Sequence, residues 1–177
     1  MTPEFRPFPK IPRLYRECVI TEKIDGTNAQ IHITESGEIF AGSRNGWITP
    51  EKDNFGFAAW VRDNYVGLSA LGVGVHFGEW FGAKIQRGYG LTDRRFALFN
   101  VGKWNAGNVP SCCCVVPVLY EGIFSDNAVH DVLGRLQMSG SAIAPGYASP
   151  EGIIIFHKAS GQLFKKTIEK DEEPKTK

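Results

Sequence analysis

Short apolar segments separated by turn residues recur along this chain of 177 residues, and they restrict it to a fold built largely from strands. Residues 29–34 alternate between apolar and polar side chains, which is typical of a strand that buries one face. Ser36 and Gly37 follow as a turn, so residues 38–41 are predicted to pair back as a hairpin. Similar signals predict further strands at 16–22, 73–77, 96–101, 115–119, 151–156 and 163–167.

Two other segments carry the spacing of amphipathic helices. Residues 50–62 place apolar side chains at helical intervals, and a second helix is predicted to begin at Asp126, with an Asp or Asn as its cap. Four prolines within residues 1–14 exclude a helix there and favour an extended arm. The length and a hydrophobic share of 42% fit one globular domain with its own core.

The charges of the chain are unevenly placed, although 20 basic and 19 acidic residues leave a formal charge of +1. Residues 1–16 hold four basic side chains against Glu4, and residues 84–103 hold five against Asp93. Local basic segments of this kind favour a phosphate-rich partner, and ordinary solvated surface is the alternative.

Three of the four cysteines are consecutive, at residues 112–114. Because adjacent side chains on a strand point to opposite faces, this triplet fits neither a metal site nor a set of disulfides. Reduced thiols are predicted, and they favour a cytoplasmic location. The N-terminus has no apolar stretch like that of a signal peptide, and no segment is long and apolar enough to span a bilayer, so no membrane partner is expected.

The chemistry of the chain centres on residues 21–28, where an apolar run ends at Lys23, next to a glutamate. Gly26 lets the chain turn sharply without a Cβ clash. An amine at such a strand-to-turn junction can be partly desolvated, which lowers a lysine's pKa and frees its lone pair for attack. For the short pattern Lys-x-Asp-Gly alone, a surface lysine beside a β-turn is the alternative.

The longer sequence Glu-Lys-Ile-Asp-Gly-Thr-Asn-Ala, residues 22–29, resembles the nucleotidyl-lysine motif of the covalent nucleotidyltransferases. This superfamily contains the ATP-dependent RNA and DNA ligases and the mRNA capping enzymes. The Gly-Thr-Asn ending is most similar to the RNA-ligase branch. The resemblance implies that Lys23 is the catalytic nucleophile and that Glu22 helps to bind the nucleotide. It also implies that Asn28 helps to bind the nucleotide and the end phosphates.

Two segments downstream resemble the second and third motifs of the superfamily. Ser43 followed by Arg44 resembles the second motif, in which the arginine binds a phosphate or a ribose. A polar loop is the alternative there. The sequence Phe-Gly-Glu-Trp-Phe-Gly, residues 77–82, resembles the third motif and implies that Glu79 faces the nucleotide sugar. An exposed glutamate at a strand end is the alternative.

Two more positions complete the implied nucleotide and metal site. Phe99 holds the place of the aromatic residue that stacks on the purine in the family, and a plain core phenylalanine is the alternative. Glu151-Gly152, ahead of branched aliphatic residues, resembles the fourth motif, whose glutamate binds the divalent metal directly or through water. The resemblance therefore implies ATP and Mg²⁺ (or Mn²⁺) as cofactors.

Residues 163–167 resemble the fifth motif, which normally carries two lysines at Lys-x-Lys spacing. Here Lys165 and Lys166 are adjacent, and because strand side chains alternate, they cannot both face the site from a regular strand. We favour Lys165 as the phosphate-binding cation. Lys166 or Lys170 would supply the second charge.

The resemblance covers roughly residues 16–168 and implies an α+β fold. Two mostly antiparallel β-sheets with flanking helices would hold the nucleotide between them, as in the nucleotidyltransferase (ATP-grasp-like) adenylation domain of ligases. The domain is expected at residues 1–168, followed by a charged, frayed tail at 169–177. Because about ten residues follow the fifth motif, no OB-fold is expected.

The implied activity is that of an ATP-dependent RNA ligase, which joins 5′-phosphate and 3′-hydroxyl RNA ends through a lysyl-AMP intermediate. The partner would be RNA, including nicked duplexes, and the protein is expected to be a monomer. The basic segment 84–95 is expected to contact RNA, with Tyr89 stacking on a base. The alternatives are a DNA ligase, a GTP-dependent capping-type enzyme, and a non-catalytic RNA-binding module, which would be expected to lack Lys23 or Glu151.

Overall fold

The computed structural model describes residues 2–172, which form a four-stranded and a six-stranded sheet, each with helices packed on one face. The strands are β1 Glu17–Lys23, β2 Thr27–Ile33, β3 Ile39–Ser43, β4 Trp47–Ile48, β5 Gly74–Gly82, β6 Arg94–Leu98, β7 Cys114–Val115, β8 Val118–Ile123, β9 Gly152–His157 and β10 Gln162–Thr167, and the α-helices are α1 Phe57–Asp63, α2 Tyr65–Leu68 and α3 Asp126–Ser139. The strand order is β10-β9-β1-β8 in the first sheet and β4-β3-β2-β5-β6-β7 in the second. All strand pairs are antiparallel except β6–β7, which confirms the predicted α+β class with two mostly antiparallel sheets.

The four-stranded sheet buries one face against α3. Alternate residues of β1 and β9 pack against one apolar side of this helix. The strand residues are Cys18, Ile20, Ile153 and Ile155, and the helix residues are Val129, Val132 and Leu136. The helix begins at Asp126 as predicted, but its cap is Ser125, whose hydroxyl accepts a hydrogen bond from the Ala128 N–H at 3.1 Å. The helix therefore supports the strand that ends in the predicted nucleophile.

The six-stranded sheet buries one face against α1 and α2. Phe57 and Leu68 from the helices are fully enclosed beside Ile31 of β2 and Phe96 of β6. Phe96 is thus a core residue, as predicted. The opposite face of the same strands is covered only in part. Phe81 and Ala97 are buried there against Tyr89 and Ala144, whereas Phe77 and Trp47 are exposed.

The helix predicted at residues 50–62 begins only at Phe57, so the prediction is wrong for its first half. The cause is the side chain of Asp53, which replaces a preceding helical turn. Its two carboxylate oxygens accept hydrogen bonds from the N–H groups of Ala58 at 2.8 Å and Ala59 at 2.9 Å. These bonds satisfy donors at the start of the helix and fix where it begins.

The strand predicted at 115–119 is in fact two short strands that belong to different sheets, separated at Pro117. Proline has no N–H to donate, so the ladder ends there. The Pro117 carbonyl instead accepts a hydrogen bond from the Glu22 N–H at 3.0 Å. Beside this crossover, the pairing of β1 with β8 shifts between Ile20 and Thr21. Such an irregularity bends a strand locally, here just before its functional end.

The termini and the cysteines agree with the expectations that the structure can address. Residues 2–13 contain no helix or strand and are exposed, in keeping with an extended arm. The four cysteines are free, and burial raises the pKa of Cys114 to about 11. Within residues 2–172, every helix is too short or too polar to cross a membrane.

Part of the predicted tail folds back on the domain. Asp171 accepts a hydrogen bond from the Thr167 N–H at 2.8 Å, which holds the chain along β10 up to that point. Of the tail predicted at 169–177, residues 173–177 lie outside the described residues.

Candidate active site

Lys23 is the last residue of β1, and its Nζ lies 2.5 Å from Oε2 of Glu151. The two side chains are 15% and 8% exposed, so the ion pair is largely shielded from water. Strand pairing brings them together, because Lys23 lies opposite Gly152 at the start of β9. The predicted nucleophile and the predicted metal-binding acid are therefore neighbours, although 128 residues separate them in the sequence.

Gly152 fixes the position of the acid that precedes it. A Cβ at this residue would overlap the carbonyl oxygen of Lys166 on β10. The Glu151 carbonyl also accepts a hydrogen bond from the Ile168 N–H at 2.9 Å. Glycine thus permits the close approach of β10, and this approach holds the Glu151 backbone beside Lys23.

Glu79 lies on β5, where it holds the turn that follows Lys23. Its Oε1 accepts a hydrogen bond from the Gly26 N–H at 3.0 Å, and its Oε2 accepts one from the Asn28 amide at 3.3 Å. Burial raises the pKa of Glu79 to about 7, while the Gly26 N–H and the charge of Lys23 act to lower it. Two predicted nucleotide-binding residues, Glu79 and Asn28, are therefore in contact with each other next to the predicted nucleophile.

An ion pair that the sequence did not predict stabilises the same turn. Asp25 Oδ2 lies 3.1 Å from Arg87 Nε, and Arg87 Nη1 donates a hydrogen bond to the Ser149 carbonyl at 3.0 Å. Asp25 is two residues beyond Lys23, and Ser149 is two residues before Glu151. Arg87 therefore ties together the two segments that carry the ion pair. Sequence reasoning missed this role because 62 residues separate Arg87 from each partner.

Tyr89 packs beneath this turn inside the domain, where it is only 2% exposed. Its hydroxyl accepts a hydrogen bond from the Asp25 N–H at 2.7 Å. Its ring lies edge-on to Phe81, with centroids 5.6 Å apart, and 5.0 Å from the ring of Tyr147. The prediction that Tyr89 stacks on an RNA base is wrong, because Phe81, Tyr147 and other apolar side chains bury its ring. The basic character of residues 84–95 gave no sign of those partners.

Glu22 points away from Lys23, as alternation along β1 requires, and is 1% exposed. Its carboxylate accepts hydrogen bonds from the Ser141 hydroxyl at 2.6 Å and from the N–H groups of Ala142 at 2.8 Å and Ile143 at 3.0 Å. Burial raises the pKa of Glu22, and these three hydrogen bonds act to lower it. The structure therefore places Glu22 as the anchor of the loop that leads to Glu151.

The two adjacent lysines of β10 face opposite sides of the sheet. Through the register of β10 with β9 and of β9 with β1, Lys165 shares a face with Thr21 and Lys23. Lys166 faces the side that carries α3, and its Nζ lies 3.1 Å from a carboxylate oxygen of Asp171. The structure thus brings Lys165, but not Lys166, to the face of the predicted nucleophile.

Arg44 and Phe99, the two remaining predicted site residues, are both exposed. Arg44 lies in the turn between β3 and β4, and within residues 2–172 its side chain forms no hydrogen bond or ion pair. Phe99 follows β6 directly, and its N–H donates to the Phe77 carbonyl at 3.0 Å. Because Glu79 pairs with Ala97, alternation places Phe99 on the same sheet face as Glu79.

A sequence model of the RNA ligase family matches residues 16–167, which is most of the chain. The chain belongs to the RNA ligase family. Solved RNA ligases share its fold. A mutant Naegleria gruberi RNA ligase with AMP and Mn is 17% identical, with a TM-score of 0.62, and the match covers 87% of this chain and 50% of that one. Another mutant of that ligase, with ATP and Mn, is 18% identical, with the same TM-score and coverage.

An archaeal ATP-dependent RNA ligase gives a similar result. It is 19% identical, with a TM-score of 0.59, and the match covers 92% of this chain and 48% of that one. At these identities the similarity supports the shared fold. This RNA ligase family member spans about half the length of the solved ligases that it matches. No match was found among curated proteins.

The acids of this RNA ligase family member could hold a divalent metal only together with other oxygen ligands. Within residues 2–172, no group of three or more His, Cys, Asp or Glu side chains could hold an ion. Glu151 and Glu79 are buried beside Lys23 and interact electrostatically with each other. Mg²⁺ is usually bound by one or two carboxylates with phosphate oxygens and water, so this arrangement fits a metal that binds with a nucleotide.

Proposed function

We propose that this chain is the nucleotidyltransferase domain, residues 1–168, of an ATP-dependent RNA ligase. The observation that carries the proposal is the shielded contact between Lys23 and Glu151, at the position that resembles the nucleotidyl-lysine motif. Membership of the RNA ligase family supports it. So does the fold shared with ligases solved with ATP or AMP and Mn.

In the first step, the Lys23 amine attacks the α-phosphorus of ATP. An N–P bond forms while the P–O bond to pyrophosphate breaks, and the product is lysyl-AMP. The attacking amine has to be neutral, so the Lys23 ammonium first leaves its pair with Glu151 Oε2, 2.5 Å away, and gives its proton to solvent. Leaving the ion pair also frees the amine to turn toward the phosphorus.

The other predicted residues bind the nucleotide in this proposal. Glu79 accepts hydrogen bonds from the sugar hydroxyls, and Phe99 stacks on the purine. Lys165 stabilises the charge that develops on the phosphate, because it shares the sheet face of Lys23. Lys166 would first have to leave Asp171 and the opposite face. Glu22 contributes indirectly, by holding the loop at residues 141–143.

Mg²⁺ or Mn²⁺ is the proposed metal cofactor. Glu151 would hold it together with phosphate oxygens of the nucleotide. When bound, the ion neutralises charge on the phosphoryl oxygens.

In the later steps, AMP passes from Lys23 to the 5′-phosphate of an RNA end, and a 3′-hydroxyl then displaces AMP and seals the strand. Arg44 and Asn28 are proposed to bind the end phosphates, and Arg44 has no competing ion pair within residues 2–172. The proposed enzyme acts as a monomer in the cytoplasm, and its substrate is single-stranded or nicked RNA. The free cysteines agree with that compartment.

Intact-mass analysis after incubation with ATP and Mg²⁺ tests the first step. We expect the protein to gain one AMP, and we expect this gain to vanish in Lys23→Ala and to fall strongly in Glu151→Ala. Lys158→Ala is the matched control, because that lysine pairs with Glu17 and Glu121 at the far end of β1. Folded protein that forms no adduct with ATP or GTP would contradict the proposal.

Two comparisons separate the alternative enzymes. Labelled GTP in place of ATP should give no adduct if the protein is a ligase, whereas a capping-type enzyme would prefer GTP. Nicked duplexes with an RNA 3′-hydroxyl strand should be sealed faster than all-DNA nicks, and the reverse order would indicate a DNA ligase.

A further inference from the structure

We propose that the exposed part of the six-stranded sheet, on the face opposite α1 and α2, is a stacking surface for the bases of the RNA strand. The inference rests on the proposed function, because it identifies where that ligase would hold its polynucleotide. The surface, called here the aromatic face, extends away from the nucleotide site and consists of rings and an amide on or next to β2–β6, namely Gln30, His32, Phe40, Trp47, Phe77 and Phe99.

Strand register places four of these side chains in one line across the sheet. Gln30 lies opposite Phe77 on one side and Gly42 on the other, and Gly42 lies opposite Trp47. The Phe99 N–H bonds to the Phe77 carbonyl, which makes Phe99 the next member of the line. Directly opposed residues share a face, and neighbouring strands lie about 4.8 Å apart, so the line is about 19 Å long.

The rings of this line are open to solvent. Phe77 is 58%, Trp47 is 56% and Phe99 is 40% exposed. The other face of the same strands is buried under α1 and α2, so the two faces of one sheet differ in how far their side chains are exposed. Contiguous exposed apolar groups on a folded domain mark an interaction site.

Two rings of the aromatic face are already stacked on each other, and a nucleobase could extend that stack. The imidazole of His32 stacks on the indole of Trp47, with centroids 6.0 Å apart and 28° between the planes. Phe40 is the cross-strand neighbour of His32, and its ring centroid lies 5.9 Å from that of Trp47. Every nucleobase has a flat π-face, so such a surface binds single strands without a strict sequence requirement.

The polar groups on this face favour nucleic acid over an apolar protein partner. Gln30, His32 and Asn28 lie among the rings and supply donors and acceptors, which a purely apolar partner would leave unpaired. Among the described strand residues of this face, Glu79 is the single carboxylate. Arg44 adds an exposed cation in the adjacent turn. Rings, amides and a cation with few acids are the composition that single-stranded RNA requires.

The aromatic face also begins where the reaction would take place. Phe77 is two residues from Glu79 on β5, on the same face, and Phe99 is the proposed purine-stacking residue. Bases stacked on Phe77 and then toward Trp47 would therefore lead an RNA end to the AMP held by Lys23.

Fluorescence anisotropy with a short 5′-phosphorylated RNA that carries a 3′ fluorophore tests the inference, without ATP. We expect Phe77→Ala and Trp47→Ala each to weaken binding about tenfold, and Phe77→Trp to retain it. Phe164→Ala is the matched control. Phe164 is 54% exposed but lies on the α3 side of the other sheet, and its removal should change affinity less than twofold.

Adduct formation with ATP, measured by intact mass on the same variants, separates the RNA surface from the nucleotide site. Phe77→Ala and Trp47→Ala should form the AMP adduct within twofold of the wild-type rate and lose sealing of RNA ends about tenfold. A wild-type protein that binds RNA but forms no adduct would contradict the proposed function and leave this inference standing.

Three results would overturn the inference. Equal RNA affinity of Phe77→Ala and Phe164→Ala would exclude stacking on this face. Loss of ATP adduct in Phe77→Ala would assign that ring to the nucleotide site. Unchanged RNA affinity together with a dimer that dissociates in Trp47→Ala, measured by sedimentation, would make the face a contact between two copies.

Discussion

At the residue scale, the charge of Lys23 is paired directly with that of Glu151 inside a shielded site. Removing one partner of a buried pair leaves the other charge uncompensated, whereas removing both does not. We expect Glu151→Gln to lower the free energy of unfolding by roughly 3 kcal/mol. The double variant Lys23→Met, Glu151→Gln should recover at least half of this loss. Urea unfolding measures both, and a double variant no more stable than Glu151→Gln would contradict this view of the pair.

Glu79 makes the stability of the fold depend on pH. Its pKa rises from 4.5 to about 7 on folding, so between these values the folded state keeps a proton that the unfolded state has released. The contribution of this residue to the free energy of unfolding is therefore largest below pH 4.5. It falls as the pH rises toward 7 and stays constant above that. At 1.36 kcal/mol per pKa unit, the change amounts to about 3 kcal/mol.

The variant Glu79→Gln lacks this titration but keeps an acceptor for the Gly26 N–H. Its free energy of unfolding can be measured in urea between pH 5 and 8. Relative to the wild type, this free energy should increase as the pH rises to about 7, and the difference should then stay constant. Curves that stay parallel over the whole range would mean that Glu79 titrates normally.

At the scale of single elements, two glycines of this chain should respond to alanine in opposite directions. Gly152 at the start of β9 has no room for a Cβ against the Lys166 carbonyl, whereas Gly134 within α3 faces open space. Gly152→Ala should therefore separate β9 from β10 and lower the free energy of unfolding by more than about 2 kcal/mol. Gly134→Ala should raise it by roughly 0.5–1 kcal/mol, because alanine favours the helix.

Thermal unfolding of both glycine variants measures this difference. The adduct with ATP should also be reduced in Gly152→Ala, since that residue positions Glu151. A Gly152→Ala variant as stable as Gly134→Ala would mean that β10 can move away at little cost.

The elements that sequence alone could predict are those with a repeating local pattern. Alternation identified β2 and a run of branched apolar residues identified β9, both nearly to their ends, and the apolar stripe identified α3. The start of α1 depends instead on a side chain of Asp53 that acts several residues away. No local signal could assign the two halves of the strand predicted at 115–119 to different sheets.

At the scale of the whole molecule, Arg87 joins the two segments that meet at the active site. It contacts Asp25 and Ser149, on the two sides of the Lys23–Glu151 pair. We expect Arg87→Met to slow formation of the AMP adduct about tenfold through lost positioning. Arg95→Met is the matched control, because it breaks an exposed pair with Asp93 on β6 and should change the rate less than twofold.

Circular dichroism would show that both arginine variants remain folded while the rates are compared by intact mass. Equal rates for the two would remove Arg87 from the positioning of the site.

The candidate site was predictable to the extent that its residues lie in motifs. Lys23, Glu79 and Glu151 are brought together as the resemblance implies, and alternation correctly separated Lys165 from Lys166. Arg87 and Tyr89 were not predictable in their actual roles. Their hydrogen-bond partners, Asp25 and Ser149, are more than sixty residues away in the sequence, and only the folded chain makes them neighbours.

The position of β1 between β8 and β9 has a consequence during synthesis on the ribosome. Strands β2–β7 come from one continuous stretch, residues 27–115, and can pair as they emerge. β1 emerges before them, yet it gains its neighbours only after residues 118 and 152 have followed. A growing chain therefore carries its lysine without the acid opposite until translation has nearly reached the last strand, and incomplete products cannot assemble this pair.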